Sequence, residues 1–67
     1  MIHQGRVTAF DREEGLGTVT TDDGCELPFH CTAIAGGTRT IDPGTEVVFE
    51  IVPGPAGRWW SASVTPR

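Results

Sequence analysis

Apolar and polar positions alternate in short runs along this chain, and most runs end at glycine, proline or aspartate. Period-two alternation marks a strand with one face buried. Residues 5–10 (GRVTAF) predict a first strand with Val7 and Phe10 as core candidates, and their odd spacing predicts a bulge. After a polar turn at 11–15, residues 16–21 (LGTVTT) predict a second strand rich in β-branched side chains. Asp22-Asp23-Gly24 supplies the chemistry of a tight turn. Residues 26–31 (ELPFHC) predict a third strand, with Leu27, Phe29 and Cys31 on one face and Pro28 and His30 on the other. Pro28 lacks an N–H and therefore belongs at a strand edge or bulge. Residues 32–46 form a long connection with a helical turn predicted near Thr32 to Ala35. Residues 47–52 (VVFEIV) predict the fourth strand, with Val47, Phe49 and Ile51 alternating against Val48, Glu50 and Val52. Residues 58–64 (RWWSASV) predict the fifth, with Trp60, Ala62 and Val64 inward and Trp59 outward beside Arg58. Five short strands and one long excursion after the third predict an all-β fold, a small antiparallel Greek-key barrel.

Length sets the scale. A chain of 67 residues is one domain, 1–67, and buries only about 60% of the surface its unfolded form exposes. Its core is a single layer of side chains, with no deep cavity for a small-molecule substrate. No apolar run nears the roughly 20 residues that span a bilayer. The start, MIHQGRV, has no charged region followed by an apolar one, so no signal peptide is expected and the expected location is the cytoplasm.

Charge narrows the partners. The net charge is −4, and the five basic residues are the scattered arginines Arg6, Arg12, Arg39, Arg58 and Arg67. Nucleic-acid binders usually carry a basic patch, because phosphate neutralisation supplies most of their non-specific affinity. Cys25 and Cys31 lie about 20 Å apart if one strand joins them, at ~3.3 Å per residue. A disulfide requires Cα atoms within about 7 Å, so free thiols are expected.

The ordered landmarks Gly5-x-Val7-x-x-Phe10, Gly15-x-Gly17-x-Val19, His30, Ala33-Ile34, Gly44, Val48-Phe49-Glu50-Ile51, Gly54, Gly57 and Ala62-x-Val64 resemble the bacterial cold-shock domain family. The resemblance covers Gly5 to Val64, and it implies an OB-fold that binds single-stranded RNA or DNA. That family stacks bases on exposed aromatics of the second and third strands, with lysines beside them. Here the family's Lys-Trp-Phe is Thr8-Ala9-Phe10. Its Lys-Gly-Phe-Gly-Phe-Ile is Glu14-Gly15-Leu16-Gly17-Thr18-Val19, and its Val-Phe-Val-His-Phe is Leu27-Pro28-Phe29-His30-Cys31. The frame is kept and most of the aromatic platform is lost. Phe29 falls on the inward phase, and only His30 carries over as a surface stacking residue. Thr38 stands near a further aromatic of the family.

Two readings of function follow. In the first, the protein binds single-stranded nucleic acid weakly or with altered specificity, in regulation at or after transcription. Its site residues are His30, Trp59 and Arg58, with Leu16 and Thr18 on the same face and Arg6 or Arg39 assisting. An arginine beside an exposed tryptophan is a substitute stacking and phosphate site. In the second, the fold serves a protein partner without nucleic acid, through Leu16, Pro28 and Trp59, since Trp and Arg are enriched at interface hot spots. Trp59 has a third option, capping the barrel end. Asp22, Asp23 and Glu26 read as solvated turn residues rather than a metal site, and no spacing supports zinc. His30 and Cys31 point to opposite sheet faces, which argues against a nucleophile pair. The expectation is a non-enzymatic protein without cofactor or metal, acting on no small molecule and no membrane.

Overall fold

The computed structural model describes residues 2–36 and 40–67. Strands β1 (Ile2–Asp11), β2 (Leu16–Thr21) and β3 (Glu26–His30) form an antiparallel meander, and a long connection then brings β4 (Glu46–Pro53) back beside β1. Strand β5 (Trp59–Pro66) pairs with β4, so the sheet order is β3-β2-β1-β4-β5. This is the Greek-key order, three hairpin-connected strands with a fourth returning beside the first. The sheet curls until β3 and β5 pack together. No ladder joins these two strands among the described residues; a single parallel bridge, Ile34 to Val64, lies beside the seam. The all-β, OB-type barrel expected from the sequence is thus present as a barrel-like sheet that is not fully closed by hydrogen bonds.

Alternation explains the core. Val7, Val19, Phe29, Val47, Phe49 and Val64 are fully buried, and Ile34 is nearly so. Phe10 is half-buried and stacks on Phe29, with centroids 5.9 Å apart and planes 12° apart. The register between β1 and β2 shifts between Val7 and Ala9, which is the bulge the spacing of Val7 and Phe10 predicts. Gly17 is required by this packing, because a Cβ there would sit 2.5 Å from Cζ of Phe29. The third strand ends one residue earlier than expected: Cys31 opens a short 3-10 turn, Cys31–Ala33, and packs half-buried against the core. Both cysteines are free thiols.

The phase of β5 differs from the simple alternation read in the sequence. Ser61 and Val64 are buried, whereas Trp60 and Ala62 are half-buried. The cause is one extra residue. Val48 pairs with Thr65 and Glu50 with Ala62, so two β5 residues, Ser63 and Val64, stand opposite Phe49 alone. Ser63 takes a φ of 53°, the left-handed conformation that such a bulge uses. The bulge reverses the facing of every residue before it, and Trp60 turns outward.

Among the described residues no helix is long and apolar enough to cross a membrane.

Candidate nucleic-acid interface

The pairings Leu16–His30 and Thr18–Pro28 place these four side chains on one outer face of the β2–β3 hairpin. Arg6 is exposed and pairs with Thr20, further along the same sheet. A shallow cleft of about 380 Å³ opens on this side, bordered by Phe10, Leu16, Thr18, Pro28, Arg58 and Trp60, with Ala9, Asp11 and Gly17 also on its wall. His30 closes the arrangement. Its ring lies parallel to that of Trp60, with centroids 4.5 Å apart and planes 6° apart. A strand histidine and a tryptophan from the far end of the chain thus form one stacked pair.

Several devices hold Trp60 in place. Its Nε1–H donates to the carbonyl of Pro55, at 3.0 Å. Pro55–Gly57 is a tight 3-10 turn in which Ala56 has a φ of 61°. Gly54 precedes it, and any Cβ at Gly54 would collide with the indole ring. Proline and glycine in this loop therefore set a bed for the tryptophan.

Electrostatically the cleft is near balance. Arg58 and Asp11 are the charged residues on its wall. Asp11 is already engaged, since its Oδ1 accepts the backbone N–H groups of Glu13 and Glu14 at 2.9 and 3.2 Å. Arg58 is exposed and carries the cleft's positive charge.

The sequence-predicted site is brought together in part. Leu16, Thr18 and Arg58 border the cleft, and His30 adjoins it through its stack on Trp60. Arg6 does not border it. Arg39 and Thr38 lie outside the described residues. Trp59 is 60% exposed but lines a different cleft, beside Leu27 and Ile51. Trp59 is exposed, as the sequence predicts, but Arg58 stands with Trp60 rather than with Trp59, and the expectation that Trp60 turns inward is corrected. Residues two apart on a strand share a side, so Arg58 accompanies Trp60, and the bulge at Ser63 decides which side that is. Trp60 is the residue that sequence reasoning missed. Its signal was an extra residue in the last strand, and period-two counting has no means of locating a bulge.

This geometry coincides with a match along nearly the whole chain. The family described as the 'Cold-shock' DNA-binding domain matches residues 3–65. This chain belongs to the cold-shock domain family. Cold shock protein CspB of Bacillus caldolyticus is 40% identical over 57 residues, covering 84% of this chain and 86% of that protein. Cold shock protein CspD of Bacillus subtilis is 39% identical over the same length and coverage. Among solved structures, drosophila Unr CSD456 superposes with a TM-score of 0.82 over 100% of this chain and 27% of its own, at 24% identity, which speaks to the fold alone. Relative to the cold-shock pattern, Leu16, Thr18 and Pro28 stand where the family places exposed phenylalanines.

Proposed function

We propose that this protein binds single-stranded nucleic acid weakly and with altered base preference, through the cleft beside the His30–Trp60 pair. The observation that carries this reading is the stack itself, 4.5 Å between parallel rings at the edge of a cleft that also presents Arg58. Stacking on aromatic rings is worth about 1–3 kcal/mol per base and is tolerant of sequence. The β2–β3 face has lost its phenylalanines, and Trp60 brings an aromatic ring back to its rim. Leu16, Thr18 and Pro28 offer an apolar, uncharged floor, and Arg58 a single phosphate contact. Few rings and few cations make the affinity modest. His30, Trp60 and Arg58 are the site residues of this reading, with Leu16 and Thr18 as floor and Arg6 as an outlying phosphate contact.

The test uses the Trp59→Phe variant, in which Trp60 is the only indole. Its fluorescence is followed as oligothymidylate and oligouridylate are added. Saturable quenching that weakens with salt is the expected result, and Trp60→Ala is expected to cost about 1–3 kcal/mol of binding by calorimetry while Trp59→Ala leaves it unchanged. Absence of binding at about 10⁻⁴ M oligonucleotide, the weak end of ordinary non-specific affinity, sinks the proposal. The face of Leu16 and Pro28 would then belong to a protein partner instead.

A further inference from the structure

We propose that the cleft at Trp59 is a second binding surface, whose occupant is a protein segment carrying an apolar side chain flanked by arginine or lysine. Trp59 and Ile2 are the large hydrophobic side chains left exposed among the described residues, at 60% and 61%. Trp59 borders a cleft of about 360 Å³ with His3, Cys25, Leu27 and Ile51. His3, Cys25 and Ile51 are shared with an adjoining cleft of about 400 Å³ that runs on to Ile2, Asp22 and Asp23. Neither cleft shares a residue with the one beside Trp60. Adjacent strand residues point to opposite sides, so Trp59 and Trp60 serve different surfaces. Contiguous exposed apolar surface of this kind marks interaction sites, and tryptophan is enriched where interface energy concentrates.

Charge selects the occupant. Asp22 and Asp23 line the groove directly. Asp23 accepts a hydrogen bond from the Thr21 hydroxyl, which holds its carboxyl below the ordinary value of 3.8. Asp22 has a distant arginine partner, Arg67 at 3.9 Å, which lies closer to Glu46 at 3.2 Å. These acids repel phosphate, so the groove favours a basic segment over a nucleic-acid strand. A two-fold contact with a second copy sets the same surface patch against itself and brings like charges together. A segment with a basic flank pairs with Asp22 and Asp23, while its apolar side chain covers Leu27, Ile51 and the indole of Trp59. An arginine also stacks well on such a ring.

The test uses the Trp60→Phe variant, which leaves Trp59 as the only indole. The probes are a short peptide with a central leucine pair flanked by arginines, and the same peptide with glutamates in their place. The expected result is a saturable fluorescence change with the arginine peptide alone. Asp22→Lys is expected to weaken it by about tenfold or more, as loss of charge complementarity does, and Ile2→Glu to weaken it as well. Calorimetry on Trp59→Ala is expected to show no peptide binding, with an unchanged thermal melt and unchanged oligonucleotide binding. Equal binding of both peptides, binding of neither, or binding indifferent to Asp22→Lys overturns the proposal. A concentration-dependent dimer abolished by Trp59→Ala also overturns it, by assigning the surface to a second copy.

Discussion

Ser61 is 3% exposed, and its hydroxyl has no hydrogen-bond partner. A buried, unsatisfied polar group costs about 1–3 kcal/mol, whereas an apolar group of the same shape costs nothing of this kind. Ser61→Ala is therefore expected to raise the unfolding free energy by about 1 kcal/mol, read from urea titrations at constant slope. A decrease would mean that the hydroxyl has a partner in solution. Single residues likewise divide the two tryptophans. Trp60 has a defined hydrogen bond and a stacked neighbour, while Trp59 keeps most of its surface in water. Their substitutions should separate cleanly, one in oligonucleotide affinity and the other in peptide affinity.

At the scale of elements, β5 and the loop before it decide the site. Ser63 stands opposite no residue of its own on β4, and its left-handed backbone is unfavourable for a side chain. Deleting Ser63 sets Val64 opposite Phe49 and leaves Ser61 in and Trp60 out. The deletion variant is therefore expected to fold with its Trp60 emission and oligonucleotide quenching preserved, at no loss of melting temperature. Loss of quenching would show that the bulge aims Trp60 in some further way than by setting its side. Gly54→Ala should act oppositely. The added methyl displaces the indole, so oligonucleotide affinity is expected to fall by about 1–3 kcal/mol, as for a lost stack. Its effect on the melt should be small, because the loop lies outside the buried core. Unchanged affinity in Gly54→Ala would argue that Trp60 need not sit where it does.

At the scale of the molecule, a net charge of −4 with scattered arginines limits what electrostatics contributes. For single strands, log affinity falls with log salt by about 0.7 per phosphate neutralised. Arg58 borders the cleft, and Arg6 stands further along the sheet. The slope is therefore expected to lie between about −0.7 and −1.4, from one or two contacts, measured by oligonucleotide titration across a salt series. A much steeper slope would mean that a basic strip elsewhere carries the binding. On the two proposals together, Asp22 and Asp23 favour a basic partner near Trp59 while Arg58 favours a phosphate beside Trp60, so the two surfaces are expected to differ in the charge they accept.

The strands, the bulge at Val7–Ala9, the inward phase of Phe29 and the shared face of Leu16, Thr18, Pro28 and His30 were all legible in the sequence. They depend on neighbouring residues and on turns, and alternation along one strand reports them directly. The family was legible for a related reason: its landmarks are glycines and core residues that the barrel's close approaches require, such as Gly17 against Phe29. What tertiary structure decided was which tryptophan meets His30. These residues are thirty apart in the chain, and their meeting depends on the curl that brings β3 to β5 and on one extra residue whose position only the β4 partner reveals. Side-chain facing follows from local alternation until a bulge resets it, and a bulge is defined by pairing between strands, which no single strand's sequence contains.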